Sequence, residues 1–480
     1  MSEDLCRLTA RELAALLARG ELSAVEVLEA HLEQVERWNP LVNAIVTLDA
    51  EGARRRAREL DERFVREGPV GPLHGLPVAH KDLAETAGMR TTYGSPLFAT
   101  FVPDEDAPAI ARIRAAGAVT IGKTNTPEFG LGSQTFNRLF GATRNPYDLG
   151  KTSGGSSGGA AAALACRMVP LADGSDMGGS LRNPAAFCNV VGLRPTPGRV
   201  PQRAASAPWL PLAVSGPMAR TVADVALLFA VMMGTDPRDP LAFGGDPAPF
   251  LDFAPSPLRK LRIAWSPTLG GLPIETGVLR VLEGAVRVFE QLGCTVGEAE
   301  PELDGADTVF ETFRALALDA AYGPLADRRP EEVKDTLRWN IDVGRRLTGE
   351  AVADAWRTWG RLLDRARHFF ERWDLLACPA AQVLPFSADL EYPPDVAGVP
   401  MSSYIEWMRV CTRITVLGCP AIAVPAGFTH EGLPVGLQLV ASPRNELTLL
   451  HAAAHFEAAT GYWRRPPPVP GPAQPGATLS

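Results

Sequence analysis

Lysine is scarce in this chain. Only five of its 47 basic side chains are lysines, at positions 81, 123, 151, 260 and 334. Wherever a plain positive charge serves, the sequence uses Arg, so each lysine raises the question of what its amine does that a guanidinium cannot. The chemical difference is that Arg does not give up its proton in proteins. Long apolar runs are missing as well: the longest, Val225 to Met233, has nine residues, and a membrane-spanning helix needs ~20. The start, Met1-Ser2-Glu3-Asp4, lacks the basic-then-apolar pattern of a signal peptide. A soluble, cytoplasmic protein without a membrane partner is expected. The seven cysteines (6, 166, 188, 294, 378, 411 and 419) are odd in number and form no CxxC pair, and the seven histidines form no HExxH. Disulfide and zinc readings are therefore weak, and reduced, buried thiols and no metal are expected. An excess of positive charge is absent too: the net charge of −8 argues against a nucleic-acid partner, which calls for basic faces.

What is present is an ordinary globular composition, with 46% hydrophobic and 21% charged residues over 480 positions. A chain of this length buries a large core without staples. Thr9-x-x-Glu12 and Ser23-x-x-Glu26 are capping boxes that open two helices, the second ended by Asn39-Pro40, and a third helix is expected over about 50–66. Beyond about residue 70, short apolar runs alternate with helical stretches. Strands are expected at 119–121, 261–265 and 421–424, and helices at 109–116, 222–233, 276–292 and 446–459. The pattern predicts an α/β fold: a large mixed, partly parallel β-sheet surrounded by helices. The expected organisation is an N-terminal helical segment (1–66) packed on a single α/β domain (67–463). That domain carries a surface linker at 236–258 and a mostly helical insert at about 305–373, and a Pro-rich tail (464–480) follows.

The densest feature is 152–184, where two Gly/Ser knots flank a small-residue helix, Ala160 to Ala165. Glycine at this density is entropically costly unless the backbone must bend or approach something closely. Gly154-Gly155-Ser156-Ser157-Gly158 matches the G-x-S-x-G nucleophile elbow, which requires an apolar strand before it; residues 145–153 read as a loop instead. Gly117 to Thr124 matches the P-loop string, but its four middle residues, Ala-Val-Thr-Ile, read as a strand and not as an anion-cradling loop. Lys81 ends the apolar run Gly75-Leu76-Pro77-Val78-Ala79-His80. An amine held there is desolvated, which lowers its pKa. Simple pairing with Asp82 is the alternative.

Lys81 after Gly-Leu-Pro-Val-Ala, Gly-Gly-Ser-Ser-Gly-Gly at 154–159 and Asp-Met-Gly-Gly-Ser-Leu-Arg at 176–182 together resemble the amidase signature family. The resemblance continues through Val190 to Thr196, Ser215-Gly216-Pro217, Gly418 to Ala421 and Gly432 to Gln438. It implies a mixed sheet wrapped by helices and an amide hydrolase that needs no cofactor. It makes Lys81 the base, Ser156 the bridging serine and Ser180 the nucleophile, and the separation of 24 positions between the serines matches the family's. It also implies a cis peptide at Gly155–Ser156, an oxyanion hole built from the backbone N–H groups of Met177, Gly178, Gly179 and Ser180, and structural roles for Gly155, Asp176 and Arg182. His80 and Ser153 stand where many relatives have an aliphatic residue and a proline, a departure that bears on specificity. A serine hydroxyl is a weak nucleophile until a base takes its proton. For Lys81 to be that base, its pKa must fall from ~10.4 towards neutrality, a cost of about 4 kcal/mol met by burial and hydrogen bonding.

The substrate is less legible. The resemblance points to a stand-alone enzyme, with a homodimer left open, for a small apolar or aromatic amide. Anilide, ester or carbamate (urethanase-like) cleavage is open to the same machinery. The alternative is the glutamine-hydrolysing subunit of a tRNA-dependent amidotransferase. Those subunits carry an Asp about 12 residues before the Gly-Leu-Pro-Ala proline to hold the substrate amine; counting back from Pro420, this chain has Met408. Phe136, Phe140, Trp209, Met401, Tyr404 and Trp407 are the aromatic and soft residues near regions that shape the pocket in relatives; each reads more readily as core than as pocket, and no substrate-binding residue is assigned.

Overall fold

The structure is a computed structural model and describes residues 2–203, 206–256, 258 and 260–468. Most of the expected Pro-rich tail thus lies outside the described residues. Eleven strands form one sheet: β1 (Ile45–Leu48), β2 (Pro77–Lys81), β3 (Val119–Thr124), β4 (Leu171–Asp176), β5 (Val191–Arg194) and β6 (Val214–Ala219), then β7 (Arg262–Trp265), β8 (Thr295–Glu298), β9 (Leu375–Pro379), β10 (Ala421–Phe428) and β11 (Pro434–Ala441). Their order is β1-β3-β2-β4-β6-β5-β10-β11-β9-β7-β8. The pairs β2/β3, β2/β4, β7/β8 and β7/β9 are parallel and the other six are antiparallel, so the sheet is mixed as expected. β2, β9, β10 and β11 are buried almost throughout, which is why their sequences run apolar instead of alternating. The helices Val222–Met232, Thr276–Gln291 and Glu446–Thr460 form close to their expected bounds and pack against the strands, as does Arg182–Cys188.

Both N-terminal capping boxes are present, on Ala10–Ala18 and Ala24–Val42. Leu13, Leu17, Val27 and Leu28 of these helices join the same apolar cluster as the sheet residues. Two expectations need correction. The helix that begins at Ala24 does not stop at Asn39-Pro40 but continues to Val42. Pro40 falls in the last turn, where its missing N–H forgoes a single bond, to the carbonyl of the exposed Glu36, and Asn43, in the left-handed conformation (φ 51°), ends the helix. The stretch before Gly154 is not a loop either. Arg144–Asn145 pairs with Asp148–Thr152 in a hairpin of alternating exposure, outside the main sheet, so the buried strand that a nucleophile elbow requires is still not there.

The P-loop string folds as its middle residues imply: Val119–Thr124 is β3, preceded by the helix Pro108–Ala115. The insert is three helices, Ala306–Arg328, Asp335–Arg345 and Gly349–Arg372. All seven cysteines are buried and unpaired. Among the described residues no helix is long and apolar enough to cross a membrane, and no group of His, Cys, Asp and Glu is arranged to hold a metal ion.

Candidate active site

Parallel β2 and β4 are neighbours, in the register Val78↔Leu171 and Ala79↔Ala172, so both end at the same edge of the sheet. The carboxyl ends of parallel strands are where α/β sheets build their sites. Lys81 is the last residue of β2, and Ser175 and Asp176 are the last two of β4. Against them lie two turns that enter helices. One carries Ser156 and Ser157 into Gly158–Ala165; the other carries Met177 to Ser180 into Arg182–Cys188. The glycines that open the first of these helices are required by close approach. A Cβ on Gly158 would meet Ser153 Oγ and Thr135 Oγ1 at 2.4 Å, and one on Gly159 would lie 2.3 Å from the Asn125 nitrogen.

Lys81 is 1% exposed. Its Nζ donates to Ser156 Oγ (2.7 Å), Ser157 Oγ (3.0 Å) and Ser175 Oγ (3.0 Å). Burial draws its pKa down to about 7, against the opposing pull of Asp176 and Asp173. The amine is therefore divided between charged and neutral forms near neutrality. Pairing of Lys81 with Asp82 does not occur. The Asp82 carboxylate turns away to accept from the Thr92 N–H (3.0 Å) and hydroxyl.

The Gly155–Ser156 peptide is cis. Gly155 N–H donates to Asn183 Oδ1 (3.0 Å), tying the first serine turn to the helix that follows Ser180. Asp176 and Arg182 are fully buried and paired at 2.8 Å. Burial alone would raise the Asp176 carboxyl, but the Arg182 guanidinium, with help from Arg194, outweighs it and holds the group well below the usual carboxylate range. Arg182 also donates to Gln438 Oε1 (2.6 Å), Thr415 Oγ1 (3.1 Å) and the Cys411 carbonyl (3.0 Å), so the loop is fastened to the far half of the sheet.

The four N–H groups expected to form the oxyanion hole differ in their partners. Gly179 N–H donates to Asp176 Oδ1 (3.0 Å), as Leu181 N–H does to Oδ2 (3.0 Å), so Gly179 is taken up by the loop's own carboxylate. The N–H groups of Met177, Gly178 and Ser180 have no hydrogen-bond partner among the described residues. Gly179 has φ 110°, and a Cβ there would lie 2.7 Å from Cys411 Cβ.

Lys81, Ser156, Met177, Gly178 and Ser180 all line one cavity of about 520 Å³. Its walls add Phe129, Leu131, Leu318, Tyr322, Met408 and Arg314. None of the six aromatic and soft residues weighed as pocket candidates lines it. Trp209 is 69% exposed, and Trp407 is buried against Phe187. Phe136 and Phe140 lie under the cations of Lys334 and Arg90. Met401 packs against the core, and the Tyr404 hydroxyl is taken by Arg314 and Asn340. Nearness in sequence to catalytic motifs is the wrong guide, because the wall comes from the helical insert. Arg314, Ala317, Leu318, Ala321 and Tyr322 recur at helical spacing along one face of Ala306–Arg328, a signal available in the sequence. Ser157 and Ser175 are lysine partners that sequence reasoning misses, since only the strand register brings Ser175 beside Lys81. His80 and Ser153 do not reach the cavity. His80 is buried with Nδ1 2.5 Å from Asp173 and Nε2 3.1 Å from Thr120, and the Ser153 hydroxyl donates to the Thr143 carbonyl (3.2 Å).

The fold is that of amide-cleaving hydrolases. A solved bacterial aryl acylamidase of the amidase signature family superposes with a TM-score of 0.89 at 28% identity, covering 95% of this chain and 97% of the other. A 6-aminohexanoate cyclic dimer hydrolase gives 0.85 at 29% identity, covering 97% and 99%. In sequence, the chain is 38% identical to an acylamidase of Rhodococcus erythropolis over 95% of this chain and 96% of that protein. It is also 40% identical to one of the subunits of the glutamyl-tRNA(Gln) amidotransferase of Thermus thermophilus, over 94% and 97%. The Amidase family profile matches residues 26–450. The chain belongs to the amidase signature family and is a hydrolase of amide bonds.

Proposed function

We propose that this enzyme works alone, cleaving the C–N bond of a small, largely apolar amide through an acyl-enzyme on Ser180, with anilides and carbamates within its reach. The observation that carries the reading is the contact of Lys81 with Ser156 at 2.7 Å, in a cavity that Ser180 also lines. Neutral Lys81 accepts the proton of Ser156 as Ser156 accepts that of Ser180, and Ser180 Oγ bonds to the substrate carbonyl carbon. The N–H groups of Met177, Gly178 and Ser180 face the charge that develops on the carbonyl oxygen. The C–N bond breaks as the proton returns through Ser156 to the leaving nitrogen, giving free amine and acyl-Ser180. Water, deprotonated by the same relay, then releases the acid.

Phe129, Leu131, Leu318 and Tyr322 favour an apolar substrate body. The likeness to an amidotransferase component favours glutamine hydrolysis as a second reading. Met408 weighs against it: at the position where the resemblance puts an amine-holding Asp, a thioether lines the cavity. The purified chain, given 4-nitroanilide, aryl carbamate, primary amide and glutamine substrates, is expected to turn over the anilide or amide without a partner. Glutamine turnover alone, or activity only with added partner subunits, would overturn the reading. Ser180→Ala is expected to abolish fluorophosphonate labelling and to lower turnover at least ~10³-fold.

A further inference from the structure

The cavity contains a cation that the hydrolysis does not use. Arg314, on the insert helix Ala306–Arg328, lines the cavity and is 5% exposed. Its guanidinium donates from Nη2 to the Tyr404 hydroxyl and from Nη1 to Asn340 Oδ1 (3.3 Å), both neutral, and lies 5.4 Å over the Tyr404 ring. No carboxylate among the described residues pairs with it. The acids nearby on its helix are engaged elsewhere: Asp307 with Arg413 (2.7 Å) and Glu311 with Arg409 (3.4 Å). The acids lining the cavity are engaged too. Asp173 is held by His80, Asp176 by Arg182, and Asp239 accepts from the Gln202 and Leu241 N–H groups (2.8 and 2.9 Å).

A buried guanidinium without a counter-charge is costly, and a side chain with five donors in a fixed fork has donors to spare when only two are used. Its fork matches a carboxylate, which it takes in two parallel hydrogen bonds. We propose that Arg314 is a specificity-determining residue that receives a carboxylate of the substrate, so that the enzyme prefers amides bearing an acidic group on an otherwise apolar body. This rests on the amide-hydrolase reading above and narrows it. The cavity then offers a partner for a substrate anion and, with its acids all engaged, none for a substrate ammonium. The preferred class is the monoamide of a dicarboxylic acid, or an amide whose amine half carries the carboxylate.

Two matched pairs of substrates test the proposal and separate those sources. On the acyl side, glutaric acid mono-4-nitroanilide is compared with pentanoyl 4-nitroanilide. On the amine side, 4-(butyrylamino)benzoate is compared with 4-methylbutyranilide. In the wild-type enzyme the charged member of one pair is expected to have at least ~10-fold higher kcat/KM, carried mainly by KM. The preference is expected to fall to near unity in Arg314→Gln and to be partly kept in Arg314→Lys, which retains charge but loses the fork. The ratio is the readout, so a variant that packs badly lowers both rates and leaves it in place. Calorimetric titration with glutarate and with 4-aminobenzoate reads the same contact without turnover, binding being expected in the wild type and lost in Arg314→Gln. If no substrate turns over while a carboxylate still binds through Arg314, the proposed function fails and takes the substrate preference with it, leaving only the carboxylate site; if substrates turn over but neither carboxylate binds, this proposal alone fails. Equal handling of both pairs by the wild type, or a preference that survives Arg314→Gln, would overturn it.

Discussion

Lys81 Nζ lies 2.7 Å from Ser156 Oγ, across 75 residues of sequence and in a setting that is almost fully buried. The contact exists because β2 and β4 run parallel, and the turn carrying Ser156 folds back over their common end. That juxtaposition, and the loop that faces it, can be probed one residue at a time.

Ser175 and Ser157 each accept from Lys81 at 3.0 Å. Both favour the charged amine, so removing one is expected to move the apparent pKa of the rate further down, not up. A pH–rate profile of Ser175→Ala checks this. An upward move would show that these hydroxyls act on Lys81 in some other way.

Asp176 anchors the second loop against Arg182, with both side chains inaccessible. Asp176→Asn leaves a buried guanidinium short of its counter-charge, and a loss of about 3–5 kcal/mol in unfolding free energy is expected. Chemical denaturation measures it. A loss under ~1 kcal/mol would place the pair among interactions that contribute little.

At Gly179, φ is 110° and an added Cβ would crowd Cys411 Cβ at 2.7 Å. Gly179→Ala is expected to lower kcat by at least ~10²-fold, because the neighbouring N–H groups of Gly178 and Ser180 are displaced from the oxyanion's position. Steady-state kinetics on folded protein, verified by circular dichroism, are the check.

Treatment with EDTA or phenanthroline is expected to leave the rate unchanged, since the relay asks nothing of a metal. Activity lost to a chelator and restored by zinc would contradict the relay.

The chemistry is more legible in the sequence than the shape of the pocket. Lysine scarcity draws attention to Lys81, and the Gly/Ser knots to Ser156 and Ser180, because both signals are local. The same scarcity singles out Lys123, also fully buried, yet its amine is tied to the Ala84 carbonyl and the Thr86 hydroxyl (2.8 Å) and does not line the cavity. Only the fold separates the two lysines. Helix and strand positions are legible wherever periodicity runs uninterrupted, as at 276–291, and misread where a turn or cap residue overrides it, as at Asn43 and at the hairpin 144–152. The periodic face that carries Arg314, Leu318 and Tyr322 is legible, but its place in the cavity wall is not, because its helix lies more than a hundred residues downstream of Ser180 and only the fold brings the two together. The partner of the Gly179 N–H, Asp176 Oδ1, is not legible from sequence because it is set by how the loop curls back on itself.

The most direct test is Lys81→Arg, read together with the wild-type pH profile. Arg keeps the charge and similar length but cannot become neutral at accessible pH. With Lys81 drawn down to about 7, the neutral base accumulates as pH rises through that value, so wild-type kcat/KM is expected to climb with pH to a plateau and to fall as the amine is protonated below it. The midpoint belongs to the coupled site as a whole. The account predicts that Lys81→Arg is nearly as inactive as Lys81→Ala while remaining folded. A Lys81→Arg enzyme retaining more than about a tenth of wild-type kcat/KM, a loss of only ~1.4 kcal/mol, would contradict it.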